Sequence, residues 1–380
     1  MSVPTADDEA PVADGGDTLL GSVPDPAGAL NTTGRQLLAE LVSIPSPSSE
    51  EADAVAHLAG FFAEHGREAF VDDAGNLHAP GDDSVLLTSH IDTVPGEIPV
   101  RVEDGDSELG VPGPVLWGRG SVDATGPLAA MAVVAVETGA SFVGVVGEET
   151  DSRGALHLIE NREAPETVIN GEPSGWDAIS LGYRGIVGAE YTSSTPAGHS
   201  SRPESNAIDH ATAWWERVRA AVADENGDAE PGGFDTITAT TESMAGGLTD
   251  DGSAVAASMS ARFRVPPSAT PDSVRALVES CLDEGTLSWG ASIPPHVASP
   301  RGPLPAALRK GIRAAGGEPT HLHKTGTADS NLYADAWGVP VVTYGPGDAD
   351  LDHAPDERLP LAAFDRAVSV LTTACEQLID

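Results

Sequence analysis

The sequence predicts an α/β fold with a second, inserted domain, and two observations carry this prediction. Short apolar runs at 85–89, 142–146 and 167–169 alternate with helical stretches such as 128–137, which is typical of buried strands in a helix-flanked sheet. Between about 181 and 288 the pattern becomes β-α-β-β-α, which is typical of a ferredoxin-like α+β domain. A chain of 380 residues is long enough to form both domains.

The elements and segments follow in chain order. Ser48 and Glu51 form a capping-box pattern that predicts the start of a helix, and Pro127 suits the first position of a later helix. The first 32 residues are rich in Asp, Ala, Gly and Pro and show no periodicity, which predicts disorder. We therefore expect a disordered acidic tail at 1–32, an α/β domain at 33–180 and 289–380, and an inserted α+β domain at 181–288.

Composition and charge exclude several classes of protein. The chain has 20 Lys and Arg against 59 Asp and Glu, a net charge of −39, which argues against binding to nucleic acid or to an anionic membrane surface. No apolar stretch approaches the roughly 18 residues of a membrane-spanning helix. The first residues lack the basic and apolar regions of a signal peptide, so we expect a cytoplasmic protein. Two distant cysteines indicate neither a disulfide framework nor a CxxC site.

The acidity has a halophilic character. Lysine occurs only at Lys310 and Lys324, and aromatic residues make up 4% of the chain. At molar salt the Debye length is about 3 Å, so the mutual repulsion of surface carboxylates is largely screened there. The composition therefore predicts a protein that loses stability at low salt.

Candidate metal ligands lie at the downstream ends of predicted strands, where open α/β sheets place their sites. His90 and Asp92 point to one face of an extended chain, so one can ligate while the other orients it. Asp123 precedes a helix and could simply cap it, and the adjacent Glu148 and Glu149 could be solvated charges. If one of these glutamates binds a metal ion, the other is free to act as a general base. The complete set is His90, Asp92, Asp123, Glu148, Glu149, Glu172 and His353.

Taken together, two histidines and several carboxylates match the needs of two divalent ions that share a bridging carboxylate. The order and content of the motifs resemble peptidase family M20, the co-catalytic zinc aminoacylases and deacylases. The resemblance covers roughly 34–380 and rests on HIDTVPG, GRGSVDATGPLAAM, GEE, GEPS, GHSSRP and HAPDE. It implies a hydrolase of linear amide C–N bonds, with a di-metal catalytic domain and an inserted lid that forms a homodimer.

The resemblance also implies roles for individual residues. One metal ion, zinc or cobalt, would be held by His90, Asp123 and Glu172, and a second by Asp123, Glu149 and His353. Asp92 would orient His90, Glu148 would be the general base, and His199 of the lid would reach the partner's site to stabilise the oxyanion. On sequence alone, His199 could instead be a solvated turn residue. The family's Asp-X bond after the bridging aspartate is often cis, although the usual Asp-Met/Lys-Gly-Gly reads Asp-Ala-Thr-Gly-Pro in this chain.

Within the family, GEPSGWDAISLGYRG and the KTGTADSN motif at 324–331 resemble the [LysW]-lysine and [LysW]-ornithine hydrolases. These enzymes free lysine or ornithine from the γ-carboxyl of the terminal glutamate of an acidic carrier protein, LysW, in lysine and arginine biosynthesis. Cations should therefore line the approach, and the candidates are Arg184, Arg202, Arg264 and Lys324.

Two alternatives stay open at this point. A deacylase of N-acyl amino acids, acetylornithine above all, would use the same metals and mechanism. A non-catalytic metal-binding protein that kept the fold would be expected to lose Glu148 or a ligand, and all of them are present.

Overall fold

The computed structural model describes residues 23–105, 112–199, 201 and 203–380, and its largest element is a nine-stranded mixed sheet. The strands of this sheet are β1 (Phe70–Val71), β2 (Leu77–Ala79), β3 (Asp82–His90), β6 (Ala140–Val145), β7 (Val168–Gly171), β8 (Ala178–Tyr183), β13 (His296–Val297), β14 (Thr320–Lys324) and β15 (Val341–Thr343). A small antiparallel sheet contains β4 (Arg101–Asp104), β5 (Pro114–Trp117) and β16 (Arg358–Pro360).

Helices cover the large sheet. They are α1 (Thr33–Val42), α2 (Ala52–Glu64), α3 (Thr125–Thr138), α4 (Arg153–Asn161), α7 (Pro303–Ala314), α8 (Asp329–Trp337) and α9 (Leu361–Ile379), with a 3-10 turn at Ala349–Leu351. Helix α3 is apolar on nearly all sides and most of its residues are buried, because it packs against β3, α1 and α9. Strands β6, β3 and β7 run parallel side by side, so their carboxyl ends meet at one edge.

The inserted domain has its own four-stranded antiparallel sheet and its own hydrophobic core. Its elements are β9 (Gly185–Pro196), α5 (Ala207–Asn226), β10 (Thr238–Leu248), β11 (Ala254–Val265), α6 (Pro271–Ser280) and β12 (Thr286–Ile293). The strand order β10-β11-β9-β12 is the ferredoxin-like arrangement, and Tyr191 stacks on Trp214 in its core with ring centroids 4.7 Å apart. The fourth strand extends this domain to residue 293, past the expected end at 288.

Three local predictions differ from the structure. The capping box is wrong, because the Ser48 hydroxyl donates to the Asp92 carboxylate at 2.7 Å and Glu51 pairs with Arg153 at 2.6 Å. Pro127 is the third residue of α3 rather than the first. Of the predicted tail, residues 23–32 lie against the catalytic domain, with Val23 and Ala29 buried, and residues 1–22 lie outside the described part of the chain.

Among the described residues, no helix combines the length and the apolar character needed to cross a membrane.

Candidate metal centre

The predicted ligands meet at the carboxyl edge of the parallel strands. His90 ends β3, Glu149 follows β6 and Glu172 follows β7, so the order of the strands brings three distant segments together. Asp123 precedes α3, and its peptide bond to Ala124 is cis, as the resemblance implied. His353 comes from the loop after the 3-10 turn, where its backbone has a φ of 60°.

Asp123 lies between two histidines. Its Oδ1 is 3.1 Å from His90 Nε2, and its Oδ2 is 3.2 Å from His353 Nε2. Glu172 Oε1 lies 3.9 Å from His90 Nε2, whereas Glu149 Oε2 lies 3.0 Å from His353 Nε2. The structure thus contains two groups of candidate donors that share Asp123.

The chemistry of these donors fits divalent cations. Imidazole nitrogen and carboxylate oxygen are ligands that zinc and cobalt accept, and donor atoms of His90, Asp123 and Glu149 lie within 4.8 Å of one another. Burial raises the pKa of Glu172, and the charge of His90 lowers it by a smaller amount. The net result is a pKa well above the usual range of a glutamate. A buried cluster with this surplus of carboxylates requires positive charge to balance it.

Asp92 positions the loop that carries the two adjacent glutamates. Its carboxylate accepts hydrogen bonds from the backbone N–H groups of Glu148 and Glu149, both at 3.1 Å, and from the Ser48 hydroxyl. Burial raises the pKa of Asp92, but His90, the Ser48 hydroxyl and the Glu149 N–H lower it further, to about 2. His90 Nδ1 is 2.8 Å from the backbone carbonyl oxygen of Asp92 and 3.6 Å from its carboxylate. Asp92 therefore orients the ring through its backbone carbonyl, and not through the carboxylate that the resemblance implied.

Glu148 lines the cavity next to the ligands without belonging to either donor group. Burial raises its pKa well above the usual range, and the neighbouring Glu172 raises it further. A carboxylate with a raised proton affinity beside a reaction centre is suited to general acid and base chemistry.

Glu357 is a supporting residue to which the sequence assigned no role. Its carboxylate accepts from the backbone N–H of Val122 at 2.8 Å and of Asp123 at 3.1 Å, and it pairs with Arg119 at 2.8 Å. These contacts fix the segment that presents Asp123. The only signal in the sequence was its place in the HAPDE motif beside His353.

The site opens into a cavity of about 640 Å³ between the two domains. Arg262 and Arg264 of β11 line it from the lid, and Lys324 lines it at the end of β14. Arg264 Nη1 donates to the Thr327 hydroxyl at 2.7 Å. Two of the predicted substrate-binding cations, Arg264 and Lys324, therefore face the same space as the candidate metal ligands.

Arg184, a predicted substrate-binding cation, is buried, and its guanidinium group donates to groups inside the protein. It donates to the backbone carbonyls of Thr325, Gly233 and Thr236 and to the Thr238 hydroxyl, and the residue is buried. These contacts join the start of the lid to the loop after β14. Arg202, the remaining predicted cation, lies outside the described residues.

His199 is exposed, and its Nδ1 is 2.8 Å from the Ser201 hydroxyl. It does not line the cavity of its own chain among the described residues.

A histidine and carboxylate cluster around a shared aspartate, at the carboxyl edge of an α/β sheet and under a ferredoxin-like lid, defines a metal-dependent hydrolase of amide bonds. The chain belongs to peptidase family M20/M25/M40, whose model matches residues 86–377.

Curated relatives extend over almost the whole chain. The [LysW]-lysine hydrolase of Deinococcus radiodurans is 38% identical over 91% of this chain and 97% of its own length. The [LysW]-lysine/[LysW]-ornithine hydrolase of Sulfurisphaera tokodaii is 27% identical over 90% of this chain and 95% of its own.

Solved structures share the fold at lower identity. The M20 metallo-carboxypeptidase Sso-CP2 of Sulfolobus solfataricus aligns with a TM-score of 0.72 at 17% identity, over 92% of this chain and 99% of its own. A dinuclear metal-binding M20 peptidase of Bacillus subtilis aligns with a TM-score of 0.62 at 14% identity, over 93% and 98%.

Proposed function

We propose that this enzyme hydrolyses the amide bond between lysine or ornithine and the γ-carboxyl of the C-terminal glutamate of the carrier protein LysW, in lysine and arginine biosynthesis. The observation that carries the proposal is the 38% identity to a [LysW]-lysine hydrolase across both domains. The KTGTADSN segment, which sequence analysis linked to this branch, supports it because Lys324, Thr325 and Thr327 line the cavity above the ligands.

Two divalent ions per subunit, zinc or cobalt, fit the two donor groups. His90, Asp123 and Glu172 would hold one, and Asp123, Glu149 and His353 the other. When bound, such ions polarise the scissile carbonyl and lower the pKa of water.

The chain's own residues then move the proton. Glu148 takes a proton from the attacking water and delivers it to the nitrogen of the leaving amino acid. Asp92 holds the backbone of Glu148 through the N–H contact at 3.1 Å, so the carboxylate stays directed into the cavity. Arg264 and Lys324 supply the positive charge that a carboxylate-bearing substrate needs on an otherwise acidic protein.

A homodimer would complete the site. Strand β10 is one of the two edges of the lid sheet, most of its residues are exposed, and it carries the exposed Met244 and Leu248. An edge of this kind is suited to pairing with a second copy. His199 follows β9 in the same domain and would then reach the partner's cavity as an oxyanion donor.

Complementation tests this arrangement. His199→Ala and Glu148→Gln subunits would be mixed in equal amounts and reassembled into dimers. Half of these dimers are hybrids, and each hybrid has one intact site of two. The mixture should therefore recover up to about a quarter of wild-type activity. No recovery in assembled hybrids would show that His199 does not act across the dimer.

The cytoplasm is the compartment that we propose, and the two buried, unpaired cysteines support a reducing location.

The function itself is tested with purified enzyme in about molar KCl, which screens its charge. Release of amino acid from LysW loaded with lysine, from LysW loaded with ornithine and from N-acetylornithine would be compared by mass spectrometry. We expect release from the loaded carrier, with the faster substrate identifying the pathway. Release from N-acetylornithine while the loaded carrier stays intact would contradict the proposal and indicate a small-molecule deacylase.

A further inference from the structure

Asp352 is a cavity residue to which the proposed mechanism gives no task. It lines the same cavity as the metal ligands and directly precedes His353. Its Oδ1 is shielded from water and has no hydrogen-bond partner among the described residues. A shielded carboxylate oxygen without a partner is costly, so this position favours a ligand that brings a donor.

Basic and acidic side chains without an ion-pair partner in the described structure lie together in this cavity. Arg262 is paired with Glu242 at 2.6 Å, whereas within the described part of the chain Arg264 and Lys324 have no carboxylate within ion-pair distance. Among the described residues, the Asp352 carboxylate likewise has no cation within ion-pair distance. A cavity with unpaired cations and an unpaired carboxylate complements a ligand that has both a carboxylate and an ammonium group.

We propose that Asp352 binds the side-chain ammonium group of the amino acid that leaves, and so selects diamino acids over amino acids with neutral side chains. This inference rests on the proposed function. The scissile nitrogen lies beside Glu148, the carboxylate of the leaving amino acid faces Arg264 and Lys324, and the side chain extends to Asp352. An amino acid of the same length without the ammonium group leaves the Asp352 oxygen unpaired, which a site built around a charged contact penalises strongly.

The test compares LysW loaded with lysine and LysW loaded with norleucine, which has a side chain of similar length without the amino group. Wild-type kcat/KM should favour lysine by about a hundredfold or more. In Asp352→Asn this ratio should fall at least about tenfold, mainly through a higher KM for the lysine substrate, while norleucine release changes little. Asp350→Asn is the matched control, because Asp350 lines the same cavity but is exposed, and its ratio should stay near wild type.

A ratio near one in the wild type, or an unchanged ratio in Asp352→Asn with normal metal content, would overturn the inference while leaving the proposed function intact. If Asp352→Asn is inactive, the inference is tested instead by inhibition of the wild-type enzyme with the free amino acids. Stronger inhibition by free lysine than by free norleucine supports the inference, and equal inhibition overturns it. Failure of the wild type to hydrolyse the lysine-loaded carrier at all would overturn the proposed function.

Discussion

Glu148 is the single residue on which the proposed chemistry depends most. It lines the cavity outside both donor groups, and burial gives its carboxylate a raised pKa. Glu148→Gln keeps the shape and removes the proton acceptor, so kcat should fall by about 10²–10⁴-fold with little change in folding. Steady-state kinetics, together with metal analysis of the same samples, would measure this loss.

Glu160→Gln is a suitable control, since Glu160 is an exposed glutamate on α4 away from the cavity, and it should behave like the wild type. A Glu148→Gln enzyme within about tenfold of wild-type kcat, with full metal content, would show that another group moves the proton.

Single residues differ in how far the sequence predicts them. Three candidate ligands, His90, Glu149 and Glu172, could be brought to one sheet edge from the sequence because each lies at or after the end of a strand. His353 lies in a loop after a 3-10 turn, where neither a strand end nor a helix start marks it. The contact between Ser48 and Asp92 could not, because it joins segments 44 residues apart and competes with a local helix cap that fits the same pattern. The local sequence pattern therefore predicted that Ser48 caps a helix, whereas in the structure Ser48 bonds to Asp92 instead.

At the scale of elements, Arg184 connects the lid to the catalytic domain. Its guanidinium satisfies three backbone carbonyls from two segments. Arg184→Ala should reduce the free energy of unfolding by roughly 1–3 kcal/mol, because it leaves the buried carbonyl of Thr236 unpaired where water cannot replace the donor. Urea denaturation would measure that change.

Lys324→Ala provides the contrast, since it should raise KM with little effect on stability. If Arg184→Ala instead raised KM without loss of stability, Arg184 would be a substrate-binding residue after all.

The elements of the lid show why its outline was predicted and its end was not. Strands β9 and β11 have alternating buried and exposed residues that the sequence reveals. Strand β12 lies at the opposite edge from β10 and is largely exposed, so TLSWGASI lacks a buried face that would mark it. Edge strands of this kind are defined by pairing, in this case with β9, more than by their own pattern.

The whole molecule carries a net charge of −39, and this charge predicts how its stability responds to salt. Carboxylate repulsion is largely screened when the Debye length shrinks from about 10 Å at 0.1 M to about 3 Å near 1 M salt. The melting temperature should therefore rise substantially between roughly 0.1 and 3 M KCl. Calorimetry across this series would measure it, with sucrose at matched osmolality as the control for solvent exclusion.

A melting temperature independent of KCl, or one raised equally by sucrose, would show that surface charge does not limit the stability of this protein.

Metal dependence tests the central claim most directly. The enzyme would be stripped with a chelator, and hydrolysis of lysine-loaded LysW would be followed as zinc or cobalt is restored and the bound ions are counted. The structure's two donor groups around Asp123 predict negligible activity without metal and full activity as occupancy approaches two ions per chain. Undiminished hydrolysis by the stripped enzyme, or full activity at one ion per chain, would contradict the two-metal account.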